Sequence, residues 1–361
     1  MARERCSRFF NKVIQLPREY EAIEPVGQGA FGVVFSARES RGEGSYGFVA
    51  VKKIEVPFLN STTARSVLRE VCVLTRLKHP NIVGLERLIV GESALMSPVY
   101  LILELLETDL GSVLKSQQVL STTQIRFIFI QLIDALTFIH SQGIIHRDIK
   151  PRNLLMSANC DVKICDFGLA RKQSDTARMT EYVCTRWYRA PEIILDSPSH
   201  DEKVDIFSAG CLLGELVTSR PLFPGADAHD QLRLIFERFG PPETEDVYAV
   251  VPPGTIREYI TKLSMLARPG GDIHSVLSSK RNPIKSGSLV HCIKDMCCIN
   301  PHKRPHAADI ERFEWLNVFL PQGRPPMSTI RIADTEDVSV QGILCQMRKE
   351  ATLLNDARHI H

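Results

Sequence analysis

Between Tyr20 and about Leu105 the apolar residues come in short β-branched runs, GVVFSA, FVAVKKI and VYLILEL; from Leu110 onward they come at helical spacing. A chain whose period changes once in this way builds a small β-rich lobe first and a larger helical lobe after it, an α+β architecture. The length of 361 residues fits, being more than one small core needs. One amphipathic helix interrupts the strands: TARSVLREVCVLTRL carries Val67, Leu68, Val71, Leu74 and Leu77 on one stripe. The clearest later helix is TTQIRFIFIQLIDALTFIHSQG, with Thr122 as its expected N-cap and Gly143 as its stop. ELLETDL, Glu104–Leu110, lies between the lobes. Pro/Gly-rich stretches at Pro241–Pro242, Pro252–Gly254 and Pro269–Gly271 mark an irregular insertion over about residues 240–290. The expected organisation is a polar leader over 1–19, a small lobe over 20–105, a large lobe over 106–319 and an extension over 320–361.

Composition narrows the function classes. A net charge of +2 gives no field that implies nucleic acid or a membrane surface, and neither is expected as a partner. The ten cysteines are scattered and form no CxxC, so reduced thiols are expected rather than zinc or redox spacings. MARERCSRFF is basic without a long apolar core, which argues against a secretory signal, and no apolar run is expected to reach the ~18 residues of a membrane span.

Chemistry enters with VGQGAFGVV, which places Gly27, Gly29, Gly32 and Val34 as G-x-G-x-x-G-x-V. Glycines let backbone N–H groups approach phosphates. A dinucleotide turn opens directly into a helix, whereas β-branched residues follow here, so these glycines cap a hairpin. In VAVKK, Val49 and Val51 share one strand face and Ala50 and Lys52 the other; an inward Lys52 needs anions, and Glu70 on the next helix is the natural carboxylate. Lys53 is expected to be a solvated surface lysine. In HRDIKPRN, Asp148 is placed to accept a proton from a hydroxyl, Lys150 to neutralise a phosphate, and Asn153, with Asp166 of ICDFG, to offer hard oxygens to Mg²⁺.

The order Gly loop, Lys, Glu, HRD-x-K-x-x-N, DFG, APE resembles that of eukaryotic protein kinases over roughly Tyr20 to Phe319. The resemblance implies the bilobal kinase fold and ATP as phosphoryl donor. It implies that Gly27, Gln28, Gly29, Ala30, Phe31 and Gly32 cover the phosphates, with Val26 and Val33 also in the nucleotide site, while Lys52, fixed by Glu70, holds the phosphates. Val34, Ala50 and Leu155 then sandwich the adenine, backbone groups of Glu104 and Leu106 bond it, and Leu103 sits behind it. Lys150 after HRD-I resembles Ser/Thr rather than tyrosine kinases. A scaffold that has lost catalysis would show damage at Lys52, Asp148, Asn153 or Asp166, and none is damaged.

MTEYVCTRWYRAPE, with Thr180 and Tyr182 one residue apart, resembles MAP kinases of the extracellular-signal-regulated type, as do ETDL, LKHPNIVGL, KICDFGLAR, RPLFPG and NPHKR. That resemblance implies dual phosphorylation of Thr180 and Tyr182 by an upstream dual-specificity MAP kinase kinase and reversal by phosphatases. It also implies substrates with Ser/Thr followed by Pro, and a cytoplasmic and nuclear location. A phosphate on Thr180 adds about −1.5 to −2 charges; Arg69, Arg147 and Arg171 are expected to converge on it, and Arg186 and Arg189 on phospho-Tyr182. Departures exist: WLNVFLPQGRPP lacks the family's acidic docking patch, Phe207 stands where most kinases have Trp, and SANCDVKICDFG with FLNSTTARSV resembles the nemo-like branch. A nemo-like kinase or a cyclin-dependent-like kinase of the same CMGC group is the alternative. Asp205 and the pair Arg304 with Glu192 are expected to be scaffold, Cys165 a buried inert thiol, and GILCQMRKEATLL either a helix packed on the small lobe or an amphipathic end.

Overall fold

The structure is a computed structural model that describes residues 5–357 apart from 11, 30–31, 43, 56, 92–97, 173–185, 198–199, 241–242, 247–250, 252–254, 267–272, 278–286 and 317–337. The small lobe holds β1 (Arg5–Phe9), β2 (Lys12–Leu16), β3 (Tyr20–Gly29), β4 (Gly32–Ser40), β5 (Tyr46–Ile54), α1 (Ser61–Arg76), β6 (Leu85–Val90) and β7 (Val99–Glu104). The large lobe follows with β8 (Thr108–Asp109), α2 (Leu110–Lys115), α3 (Thr122–Ser141), β9 (Ile144–Ile145), β10 (Leu154–Met156), β11 (Val162–Ile164) and β12 (Arg171–Lys172). After them come α4 (Pro191–Ile194), α5 (Lys203–Thr218), α6 (Ala228–Phe239), α7 (Thr255–Leu266), α8 (Ile273–Leu277), α9 (Gly287–Met296), α10 (Ala307–Ile310) and, at the end, α11 (Val340–Ala357). This is the bilobal kinase fold.

Strands β3–β4–β5–β7–β6 form one antiparallel sheet, and β3 turns straight into β4, so the glycine loop caps a hairpin as its flanks require. Gly32 is glycine for a packing reason as well: a Cβ there would lie 1.9 Å from the Lys53 carbonyl oxygen on β5.

The segment expected to be a polar leader folds instead. β1 and β2 pair antiparallel, and Ile14 and Leu16, two residues apart and so on one strand face, bury against Val33, Phe35, Val49, Val51 and Ile102. The hairpin thus roofs the sheet face turned away from the interlobe cleft. Lys53 is corrected with it: only 6% exposed, its Nζ donates to the Val13 carbonyl at 2.7 Å and to Glu55 Oε1 at 2.9 Å. Ile14→Ala is expected to cost about 2–3 kcal/mol, the loss of a buried aliphatic chain from a small core, read as a lowered urea midpoint with unchanged slope.

α1 begins at Asn60, whose side chain accepts from the Thr62 and Thr63 amides. Its stripe is buried as read, and Ser66, Arg69 and Glu70 are buried beside it. α11 closes the back of this lobe: Arg76 pairs with Glu350 at 2.6 Å, Asn355 Nδ2 donates to the Leu88 carbonyl at 3.2 Å, and Ile343 and Met347 are fully buried. Of the two readings of the tail, packing on the small lobe is the one observed.

α3 is the spine of the large lobe. Its N-cap is Ser121, one residue before the expected Thr122, in a reciprocal capping box with Gln124; Gly143, at φ 68°, ends it. It is also the one helix among the described residues long and apolar enough to cross a membrane, against the count made on the sequence. Half of that stretch is buried within the protein, with Ile125, Ile128, Phe129, Ile133 and Leu136 fully covered.

Candidate active site

The cleft between the lobes is furnished from both sides. Antiparallel register puts Val34 opposite Lys52 and Ala50 opposite Leu103, so these four share the sheet face toward the large lobe. Ala50 and Leu155 pack half-buried on the core cluster that contains Leu103. Val33, expected in the nucleotide site, can reach it only through its backbone, because its side chain is fully buried under the β1–β2 hairpin; strand alternation allows Val33 or Val34 to face the cleft, not both. The Glu104 amide is spent on the Gly84 carbonyl at 3.0 Å, which leaves the Leu106 amide as the free hinge donor of the two. Val26 is exposed, Gly27 has open space beside it, and Ala30 and Phe31 lie outside the described residues.

Lys52 Nζ lies 2.7 and 2.9 Å from the two Glu70 oxygens and 3.3 Å from Asp166 Oδ1. Burial alone would drive the Lys52 ammonium to lose its proton, but the Asp166 and Glu70 carboxylates outweigh it and raise its pKa. Lys52 in return holds the Asp166 carboxyl below its usual range against the effect of burial. Asp166 adopts a left-handed backbone, φ 63° and ψ 70°. The next residues are pinned from α1: Ser66 Oγ and Arg69 both donate to the Gly168 carbonyl, at 2.7 and 3.0 Å, and a Cβ on Gly168 would stand 2.8 Å from Ser66 Oγ. Ser66, Arg69 and Glu70 stand one turn apart on one helix face, the spacing from which Ser66 was legible.

Below, Lys150 Nζ donates to Asp148 Oδ2 at 2.6 Å, and Asn153 Nδ2 donates to the Asp148 carbonyl and to Oδ2, both at 2.9 Å. Both N–H groups of Asn153 are thus used within the loop, so its Oδ1 is the atom left to face a cation. Asn153 Oδ1 with the Asp166 carboxylate is a hard-oxygen donor set of the kind Mg²⁺ takes when phosphates and water supply its other ligands. Among the described residues no group of three His, Cys, Asp or Glu side chains converges as an all-protein metal cage.

The loop that carries Asp148 hangs from α5. Asp205 accepts the His146 and Arg147 amides, each at 2.8 Å, and holds Arg147 at φ 67°. Burial raises the Asp205 carboxyl, and the donors of His140 and His146 outweigh it. His146, which the motif spacing left without a role, joins this loop to the segment of Asp166: its Nε2 sits 3.1 Å from the Cys165 carbonyl and its ring meets Phe167 edge-on at 4.8 Å.

The five arginines read as phosphate ligands are already engaged or half-buried. Arg69 bonds Gly168, Arg147 contacts His200, and Arg171 donates to the Ala170 carbonyl while its backbone pairs with Ile145. Arg186 and Arg189 flank the exposed Trp187 in the turn before α4. Thr180 and Tyr182 lie outside the described residues.

Burial and the neighbouring Asp166 push the Cys165 thiol far up, and Cys72 is pushed to about 12. Thiolate is the reactive form, so brief iodoacetamide treatment at pH 8 is expected to label exposed Cys345 and spare Cys165, Cys72 and Cys292, read by peptide mass spectrometry.

Residues 20–316 match the protein kinase domain family. The chain is 38% identical over 298 residues to mitogen-activated protein kinase 4 of Arabidopsis thaliana, covering 82% of this chain and 76% of that one. It is 43% identical over 262 residues to mitogen-activated protein kinase 1 of Oryza sativa subsp. japonica, 72% of this chain and 64% of that one. Extracellular signal-regulated kinase 1 of Candida albicans matches at 38% over 324 residues, 86% and 76% of the two chains. This chain belongs to the MAP kinase family. It is a protein serine/threonine kinase that uses ATP, and membership implies protein substrates and an upstream kinase. For a MAP kinase the geometry above has a plain chemical sense: phosphoryl transfer asks for alignment and charge compensation more than covalent help, and the cleft supplies cations, carboxylates and a rigid loop to align them.

Proposed function

We propose that this MAP kinase transfers the γ-phosphate of ATP, with Mg²⁺, to Ser or Thr followed by Pro, and that it is switched on by phosphorylation of Thr180 and Tyr182. The observation that carries the reading is the bonded Lys52–Glu70–Asp166 arrangement, joined to the loop of Asp148 and Asn153 by the Cys165 amide, which donates to the Asn153 carbonyl at 3.0 Å. Lys52, held by Glu70, grips the phosphates; Asp148 takes the proton of the acceptor hydroxyl; Lys150 offsets charge on the transferring group. Asn153 and Asp166 would hold Mg²⁺, which would supply charge to neutralise phosphate oxygens.

The switch follows from where the arginines stand. Arg69 is on α1 with Glu70, Arg147 is one residue before Asp148, and Arg171 is on β12. A phosphate on Thr180 gives the three a common partner and ties helix, catalytic loop and activation segment together; one on Tyr182 is met by Arg186 and Arg189. A dual-specificity MAP kinase kinase installs both groups and phosphatases remove them, in cytoplasm and nucleus, with no nucleic acid or membrane as partner. Two new charge-assisted bonds at about 1.5 kcal/mol each amount to about 3 kcal/mol, a roughly hundredfold shift toward the assembled state. The full chain, treated with an activating kinase, is therefore expected to phosphorylate a Ser-Pro peptide about a hundredfold faster than the untreated chain, and a Ser-Ala peptide poorly. Equal rates from a Thr180→Ala, Tyr182→Phe chain would remove the switch, and equal rates on both peptides would remove the proline preference.

A further inference from the structure

On the large lobe, where the C-terminal end of α3 meets the starts of α5 and α10, lies a cavity of about 500 Å³, the size of sites that hold small ligands. It is separate from the interlobe cleft: none of the nucleotide or Mg²⁺ residues lines it. One wall is flat, because the His79 imidazole stacks on the Phe138 ring with centroids 4.9 Å and planes 22° apart. Two carboxylates line it, Asp134 at 3.4 Å from His79 Nε2 and Glu202 at 3.0 Å from His306 Nδ1, and no lysine or arginine does among the described residues.

His140 completes the lining and links it to the catalytic loop. Its Nε2 lies 3.0 Å from Asp205 Oδ2, and a carboxylate only accepts, so Nε2 carries a hydrogen. In the neutral ring Nδ1 is then an acceptor, and it is buried without a hydrogen-bond partner. The His140 side chain is 9% exposed. The same Asp205 carboxylate holds the His146 and Arg147 amides, so a ring on the cavity wall is one shared carboxylate away from the loop that carries Asp148.

We propose that this cavity binds a flat aromatic base bearing N–H donors, and that its occupancy is felt at the catalytic loop through His140 and Asp205. The His79–Phe138 wall takes the face of the ring, Asp134 and Glu202 favour its positive charge, and an N–H entering beside His140 gives Nδ1 the partner it lacks. An anion of the same shape meets two carboxylates and is refused.

The test uses the full chain with nitrogen-15-labelled histidine and saturating magnesium adenylyl imidodiphosphate, so that a flat base is kept out of the interlobe cleft. 2-Aminobenzimidazole is the probe and 2-naphthoate the anionic control. Of the eleven imidazoles, those of His79 and His140 are expected to shift saturably with the base, and none with naphthoate. Ala308→Trp, which fills the mouth of the cavity, should weaken the base by about tenfold or more. Hydrogen exchange at the His146 and Arg147 amides should slow by roughly threefold when the base is bound, as expected of bonds whose partner is held more firmly. Absence of shifts at His79 and His140 overturns the site, as does unchanged affinity in Ala308→Trp. Equal binding of naphthoate overturns the ligand class, and binding with unchanged exchange at those two amides overturns the coupling. None of these readouts depends on kinase activity.

Discussion

Asp148→Asn is expected to lower peptide phosphorylation on the order of 10²–10⁴-fold while leaving the fold and the affinity for an ATP analogue intact, because general-base removal forfeits that much. The loop explains why the loss should be clean. The hydrogen bonds Asp148 receives from Lys150 and Asn153 both fall on Oδ2. An asparagine with its carbonyl oxygen at that position keeps both, and the loop stays fixed by Asp205 through the His146 and Arg147 amides. What changes is the other oxygen, which becomes an amide that accepts no proton. A melting temperature near that of the parent, together with nucleotide binding by calorimetry, separates this outcome from misfolding. Transfer persisting within tenfold of the parent would show that another group takes the hydroxyl proton.

Much of the site was legible because its chemistry demands particular residues at particular spacings. Lys52, Glu70, Asp148, Asn153 and Asp166 come from four separate stretches, and the fold brings them together as read. The change from β-branched runs to helical spacing likewise located the lobes. What stayed hidden depends on partners far along the chain. RCSRF and KVIQL look polar beside a hydrophobic strand, and their value as a roof appears only once Val49 and Val51 are seen to leave a bare sheet face. Lys53 resembled a surface residue because the carbonyl that accepts its hydrogen bond belongs to Val13, forty residues earlier. Val33 can serve the nucleotide only through its backbone, because strand alternation turns its side chain away from the face that Val34 shares. The three histidines of the large-lobe cavity come from the N-cap of α10, from α3 and from the loop after α1, and no local pattern joins them.

Arg304→Leu is expected to destabilise the chain by about 3–5 kcal/mol, since breaking a buried ion pair from one side strands a charge and its neighbours together. The Arg304 side chain is wholly buried and Glu192 nearly so. The guanidinium donates to both Glu192 oxygens and also to the carbonyls of Cys298, Ile299 and Lys203, with its carbon 5.1 Å from the centre of the Phe207 ring. Five acceptors therefore lose their donor at once, in a place water does not reach. Arg304→Lys keeps the charge but not the planar fork, so it should rescue only a minor part. Glu192→Gln paired with Arg304→Leu should recover about 1–2 kcal/mol relative to Arg304→Leu alone, because the stranded carboxylate is gone while the three carbonyls remain unmet. Urea unfolding of the four chains measures this directly. Glu192 follows the turn that carries Arg186 and Arg189, so the same variants should also slow peptide phosphorylation below the unfolding range, by loosening that turn. A stability loss below 1 kcal/mol for Arg304→Leu would mean that the neighbouring helices relax to admit water to Glu192, and the pair would then be a surface contact in all but burial.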